Sequence, residues 1–258
     1  MAIEKASLRL QEATVIVNQG TAEERIILDH VSLTVHQGEF VTVLGSNGAG
    51  KSTLFNVIAG TLPLTSGHIY LGGQEVTHLN EIERTKILAR IFQDPKLGTA
   101  PRMTVAENLL LAQRRGKKRR LRDRGLTEAK RQTLRELTKT MGNGLSDRLD
   151  VATGALSGGQ RQALSFLMAT QVRPEVMLLD EHTAALDPKT SAQLMALTDE
   201  HIRREHLTAL MITHNLADAL EYGNRLLVLA NGQIAQDFKD SDKANLSVAD
   251  LLAYFERY

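Results

Sequence analysis

The sequence predicts an α/β fold in which a mostly parallel sheet is covered by helices on both faces and a helical lobe is inserted part-way along the chain. Three observations carry this. Short apolar runs at 40–44, 176–179, 208–212 and 226–229 alternate with helical stretches, the spacing of strand–helix–strand units. The first of those runs leads straight into a glycine-rich turn and then a helix. From 103 to 141 the strand signal disappears, and apolar residues recur at helical spacing instead.

Taken in order, 8–17 and 31–35 read as strands from their β-branched content and partial alternation. Phe40-Val41-Thr42-Val43-Leu44 is a short apolar strand, and 52–59 reads as the helix after the turn. A strand at 68–71 is bounded by Gly67 and by Gly72-Gly73. A helix is expected over about 81–89, then a brief strand over 90–92 that ends at Gln93. In the lobe, Val105, Leu109 and Ala112 recur at helical spacing, as do Leu134, Leu137 and Met141. A long helix opens at 157 and runs to about 171. The stretch 247–258 reads as a capped amphipathic helix. Ser247 with Asp250 makes a capping pair, and Val248, Leu251, Leu252 and Phe255 fall on one face that packs onto the body of the domain.

Composition removes several classes. The 258 residues, 42% of them hydrophobic, can bury a sizeable core. Lys and Arg number 31 against 30 Asp and Glu, a net charge of +1, so bulk charge does not recruit polyanions. With no cysteine there is neither a disulfide framework nor a thiolate metal site, which fits a reducing cytoplasm. Met1-Ala2-Ile3-Glu4-Lys5 carries charges where a secretory signal needs an apolar run. The longest apolar runs reach four or five residues, against about 20 for a membrane-spanning helix. A soluble chain is expected, meeting membranes only through a partner or its surface.

Gly45-Ser46-Asn47-Gly48-Ala49-Gly50-Lys51-Ser52 fits the pattern G-x-x-x-x-G-K-[ST], with Thr53 following. Glycines there let successive backbone N–H groups point inward, an anion nest at a helix start. Lys51 supplies a point charge for β- and γ-phosphates, and the Ser52 hydroxyl is a hard oxygen ligand for Mg²⁺. At ordinary residue frequencies the pattern arises by chance in roughly one chain in a hundred of this length; here it also sits between a strand and a helix, as the chemistry requires.

Val176-Met177-Leu178-Leu179-Asp180-Glu181 is an apolar strand ending in two carboxylates. Such a strand delivers Asp180 to the carboxyl end of the sheet, where it can hold Mg²⁺ through its water shell. Glu181, one residue on, is placed to act as general base on the water that attacks a γ-phosphate. Further along the candidate lobe, Leu156-Ser157-Gly158-Gly159-Gln160 opens the long helix. Its hydroxyl and amides make a second helix N-terminus suited to an anion. The plainer reading of that stretch is a serine cap with glycines that admit a close-packed neighbour.

Together these stretches resemble the ATP-binding-cassette (ABC) ATPases over nearly the whole chain. The order is the family's: the phosphate loop; Gln93 in Ile91-Phe92-Gln93-Asp94-Pro95 as its Q-loop; 156–160 as its signature; Asp180-Glu181; Ala185-Leu186-Asp187-Pro188 as its D-loop; and His214 in Ile212-Thr213-His214-Asn215 as its switch histidine. The resemblance implies a P-loop NTPase cassette with an N-terminal antiparallel β subdomain. It also implies a single domain over 1–258, with the α/β core at 1–98 and 172–258 and the helical lobe at about 99–171.

ATP and Mg²⁺ are the implied ligands. Two cassettes, identical or paired with a second ABC ATPase, would close head to tail on two nucleotides, each between one subunit's 45–53 and the other's Ser157, Gly158, Gly159 and Gln160. Within that scheme His214 contacts the γ-phosphate, Gln93 senses it and the metal, and Asp187 couples the two sites. The leading expectation is the ATP-hydrolysing subunit of a bacterial importer, on the cytoplasmic face of the membrane, beside an integral permease and an extracytoplasmic solute-binding lipoprotein. Amino acids, aromatic ones among them, are candidate solutes, from the likeness of 93–99 and 180–183 to a subgroup of importer ATPases. A soluble ABC ATPase, such as an iron–sulfur assembly factor, is the alternative; co-purification with a permease separates the two. Nucleic acid is not expected as a partner.

Three features depart from the pattern or lie beyond it. His182 follows Glu181 where the family commonly has proline, and no catalytic role is assigned to it. The tract 114–124 holds eight basic residues in eleven, which suits a solvated loop or attraction to anionic headgroups; it lacks the interleaved aromatics of a single-strand nucleic-acid binder. Finally, no aromatic residue precedes Phe40, so Val17 occupies the place where the family stacks adenine on a ring. Weak discrimination of the base follows: in competition binding, GTP should displace ATP nearly as well as ATP itself, and a strong preference for ATP would require another adenine contact.

Overall fold

The computed structural model describes residues 6–117 and 125–255. Two sheets organise it. Strands β1 (Ala6–Val17), β2 (Arg25–His36), β4 (Ser66–Leu71) and β5 (Gln74–Glu75) form an antiparallel sheet in the order β2-β1-β4-β5. The larger sheet takes β3 (Phe40–Gly45), β6 (Leu88–Ile91), β7 (Val176–Asp180), β8 (Ala209–Ile212), β9 (Arg225–Ala230) and β10 (Gln233–Lys239) in the order β10-β9-β3-β8-β7-β6. Its pairings are parallel except for β10, which adds antiparallel to β9 at one edge.

The parallel strands are apolar because both faces are covered. Val176, Met177, Leu178 and Leu179, like Ala209 to Ile212, are all buried. One core joins the two sheets around α1 (Lys51–Ala59), with Leu8, Leu10, Phe55, Ile58 and Val43 in it. A second core lies under α3 (Val105–Ala112), α5 (Gly158–Thr170) and α6 (Pro188–Arg204), and includes Phe166, Leu164, Met177 and Met211. Helices α2 (Glu81–Arg84), α4 (Glu128–Lys139), α7 (Leu216–Glu221), α8 (Asp240–Ala244) and α9 (Val248–Phe255), with short 3₁₀ turns at Leu145–Arg148 and Thr153–Ala155, complete the described helices. Reciprocal capping boxes start α2 at Asn80, α3 at Thr104 and α5 at Ser157, satisfying N–H groups that a helix cannot pair itself. No described helix is long and apolar enough to cross a membrane.

Several expected boundaries moved. The helix expected over 81–89 stops at Arg84, because Leu88 and Ala89 are buried in β6 and pair with Val176 and Met177. Arg84 itself points inward. Its guanidinium donates to the carbonyls of Val57 and Ile58 at 2.5 and 2.9 Å, capping the end of α1, and to those of Leu79 and Thr77. Strand β2 begins at Arg25, well before 31, because an irregularity at His30, at positive φ, breaks the alternation that marks a strand; its partner β1 carries another at Glu12. In α9 the Ser247–Asp250 cap forms and Leu251 is buried, but Val248 and Leu252 are 43% and 50% exposed. Only Leu251 of those three therefore packs inward; the side chain of Phe255 lies outside the described part. Of the basic tract, 118–124 lies outside the described residues. Within it Arg115 is no solvated charge, since it donates to the carbonyls of Ala169 and Val172 past the end of α5.

The sheets are also tied by charge. Arg225 on β9 is 3% exposed. It donates to Asp237 of β10 at 2.7 and 2.8 Å, to Glu39 at 3.0 Å and to the Thr34 carbonyl of β2 at 2.7 Å. Removing one member of such a cluster strands its partners' charges. Arg225→Met should lower the unfolding free energy by about 3 kcal/mol, the low end for a broken buried pair because Asp237 keeps some water. A urea titration reads this as a lower midpoint at unchanged slope.

Candidate functional site

In a parallel sheet every strand ends at the same edge, so whatever follows β3, β8, β7 and β6 is gathered there. After β3 the chain turns through 46–50 into α1. Gly48 and Gly50 adopt φ of 85° and 102°, a region in which a side chain is strained. The turn is also tight: a Cβ at Gly45 would stand 2.5 Å from the Leu229 carbonyl oxygen, and one at Gly50 would stand 2.9 Å from that of Ile27. No side chain caps α1 at Gly50, so the amides of its first turn are left for an anion. Ser46, Asn47, Gly48 and Ser52 are exposed, Thr53 is half-buried, and Ala49 is buried. Lys51 folds back over the loop and donates to the carbonyls of Gly45 and Ser46 at 2.6 and 2.9 Å. Burial pushes its ammonium below the usual lysine range, and the Glu181 charge works against that shift.

Asp180 closes β7, and its carboxylate accepts from Arg90 of β6 at 2.7 Å. Glu181 follows at φ 42°, a conformation rare outside glycine, with its N–H donating to the Ile212 carbonyl at 3.1 Å. That bond fixes how Glu181 leaves the sheet. Its Oε2 accepts from Gln93 Nε2 at 3.2 Å and faces His214 Nδ1 at 3.3 Å. Residues 93, 181 and 214, spread over more than a hundred positions in sequence, thus meet at one oxygen.

His182 turns the other way. It is 2% exposed, with Nε2 3.5 Å from Thr198 Oγ1 on α6, and burial pushes its pKa down to about 4. It borders a cleft of about 240 Å³ shared with Glu181, Thr183, Ser191, Thr213 and His214. A larger cavity of about 640 Å³ lies between α3 and α4, away from the strand ends.

The remaining candidates form a second group. Ser157 Oγ accepts from Gln160 N at 3.2 Å, and Gln160 Oε1 accepts from Ser157 N, so both side chains cap α5. Gly159 is needed for packing, because a Cβ there would stand 2.4 Å from Thr190 Cγ2, and Gly158 faces Leu186. Asp187 caps α6 by accepting from Thr190 N at 3.1 Å, and that bonding holds its carboxyl below the ordinary range. So 157–160 and 186–190 lie against each other, whereas the phosphate loop borders Leu229, Ile27 and Gly232. Val17 ends β1 opposite Arg25 and packs partly buried on the first core. It lies near Ile27, the residue whose carbonyl touches the loop. Arg90 and Asn56 escaped the sequence reading, as did the burial of His182; an arginine inside Leu88-Ala89-Arg90-Ile91, otherwise an apolar strand, was the available signal.

The donors suit Mg²⁺. Ser52 and Asp180 offer two hard oxygens, the small number Mg²⁺ takes from protein when substrate phosphates and water complete its shell. The first-turn amides of α1, which no side chain caps, suit those phosphates.

A family profile described as ABC transporter matches residues 28–184. The tyrosine transport ATP-binding protein of Clostridioides difficile is 47% identical over 91% of this chain and 92% of its own length. The methionine import ATP-binding protein MetN of Rhizobium johnstonii is 36% identical over 81% of this chain and 56% of its own. Among solved structures, the ATP-binding cassette MJ0796, a post-hydrolysis dimer bound to ADP and Pi, superposes with a TM-score of 0.74 at 27% identity, over 90% of this chain and 98% of that one.

The buried histidine beside Glu181 makes stability pH-dependent. With a folded pKa near 4 against 6.5 unfolded, the folded state refuses a proton that the unfolded chain accepts. His182 therefore costs nothing above pH 6.5 and destabilises progressively as pH falls toward 4. Between pH 7 and pH 5 wild type should lose about 2 kcal/mol of unfolding free energy through this group. His182→Met should remove that share of the slope in urea titrations at the two pH values.

Proposed function

Because the chain belongs to the ABC transporter family and is one of its ATPases, we propose that it powers import of a small solute, an amino acid first of all, as a Mg²⁺·ATP-dependent dimer beneath a separate permease. The observation that carries the mechanism is the meeting of Gln93, Glu181 and His214 at one carboxylate oxygen, beside the phosphate loop.

In this reading the amides of 45–53 receive the β- and γ-phosphates, and Lys51 leaves the carbonyls of Gly45 and Ser46 to bind them. Ser52 and Asp180 would hold the metal, and Gln93 would sense it. When bound, Mg²⁺ would supply positive charge for the phosphate oxygens. Glu181 takes the proton of the attacking water, so its resting contacts with Gln93 and His214 open to admit that water. His214 then donates to the γ-phosphate. Val17 gives the base dispersion contact alone.

The second anion device belongs to the partner's nucleotide. In its own chain 157–160 lies against 186–190, which supports the signature and Asp187 acting together on a surface that a second cassette would close upon. The dimeric cassette with ADP and Pi supports this arrangement. Relatives named for tyrosine transport and methionine import support an amino acid as solute. An integral permease, an extracytoplasmic binding lipoprotein and a place on the cytoplasmic membrane face complete the scheme. The domain limits 1–98 with 172–258, and 99–171, are the units that would move against each other.

Glu181→Gln tests it. Turnover should fall by about 10²–10⁴-fold, the share a positioned base supplies. ATP should stay bound and dimers accumulate in light scattering. Wild type should co-purify with a permease, and cells carrying the variant should lose uptake of labelled tyrosine. Turnover within a few-fold of wild type removes Glu181 as base; normal tyrosine uptake alongside lost turnover moves the solute elsewhere.

A further inference from the structure

The two metal oxygens stand on different elements. Ser52 is on α1, which follows β3, and Asp180 ends β7; β8 lies between those strands in the sheet. No strand pairing therefore sets Ser52 against Asp180. One side chain spans the gap. Arg90, on edge strand β6, donates through Nη2 to Asp180 Oδ2 at 2.7 Å and through Nη1 to Asn56 Oδ1 at 2.8 Å. Asn56 lies one turn of α1 beyond Ser52.

We propose that Arg90 is a positioning residue for the Mg²⁺ site, which ties the Asp180 carboxylate to the phosphate-binding helix through Asn56. The inference rests on the assignment of Asp180 to the metal made above.

Three observations favour this over an ordinary ion pair. The pair is largely shielded, with side-chain exposures of 11% and 17%, so its geometry is held rather than averaged by water. The planar fork is used across two elements, which a lysine ammonium cannot reproduce with both distances kept. And the guanidinium is aligned for those two partners at the expense of its own third donor: Nε is buried without an acceptor, while the group lies over the Phe92 ring at 5.0 Å. With Asp180 Oδ2 engaged by Arg90, Oδ1 would be the oxygen left to meet the metal's water shell. Outer partners of metal-holding carboxylates act in this way, and losing one typically weakens the metal about 10–100-fold.

The experiment measures binding of a slowly hydrolysed fluorescent ATP analogue to the full chain, in EDTA and along a MgCl₂ titration. For Arg90→Met the Mg²⁺ half-saturation should rise about 10–100-fold, with affinity in EDTA kept within about two-fold, since the phosphate loop is untouched. Asn56→Ala should raise it less, Arg90→Lys should restore only part, and the double variant should be no worse than Arg90→Met alone. An unshifted Mg²⁺ half-saturation in folded Arg90→Met overturns the proposal, as does an equal loss with and without metal, which marks a merely structural residue. If Arg90→Met does not fold, Asn56→Ala and Arg90→Lys decide: a metal-specific shift supports the bridge and no shift in either overturns it. Asp180→Asn is the control beneath; if it leaves the Mg²⁺ dependence unchanged, the metal role of Asp180 fails, independently of Arg90.

Discussion

Parallel pairing of β3, β8, β7 and β6 is the constraint on which the site depends. A parallel sheet covered on both faces takes mostly apolar side chains along its strands, so function collects where the strands stop. Lys51, His214, Glu181 and Gln93 are each within a few residues of such a stop. Their mutual distances follow from strand spacing and register rather than from any local feature of the loops. The Glu181 N–H bonded to the Ile212 carbonyl extends this logic one step past the last ladder pair, and it is what turns the following carboxylate toward Gln93 and His214.

The charges that face this edge have internal partners. Lys51 sits on two carbonyls, Asp180 on Arg90, and Glu181 between Gln93 and His214. These bonds keep partly buried charges satisfied, since an unpaired one would be costly. They also mean that ligand binding is an exchange of partners. The gain on binding is the difference between phosphate–amide and internal hydrogen bonds, which makes affinity sensitive to residues that never touch the nucleotide.

Legibility in the sequence tracked how local the cause was. The phosphate loop was readable because its glycines answer to backbone conformation within a few residues, and Gly48 and Gly50 do adopt positive φ. Strands β7 and β8 were readable because double-sided burial writes a continuous apolar run. What escaped depended on distant partners. Residues 85–89 carry a helix-like pattern, yet Val176, some ninety positions away, draws Leu88 into a strand. The irregularity at His30 disguised β2 by shifting its alternation. Strand β10, Gln233–Lys239, is polar at a sheet edge and lacks an apolar rhythm. The partners of Arg84 and Arg90 were hidden as well: the fold sets Arg84, buried, against carbonyls, and Arg90, mostly shielded, against a carboxylate ninety positions away.

The glycines of 158–159 show why a motif has to be read in both of its senses. Gly159 is required sterically, since Thr190 fills the space a side chain would need, and Ser157 is required as the cap of α5. The plain packing reading is therefore correct for this chain by itself. It does not compete with an anion-binding role, because both demands are met by one geometry: a glycine start lets α5 approach the residues after Asp187, and the same start leaves backbone N–H groups without bulky side chains over them. The Gly158 and Gly159 amides at this start, beside the loop around Asp187, suit a negatively charged group brought from outside. In the dimer proposed above, a nucleotide held on another cassette's phosphate loop would bring that charge.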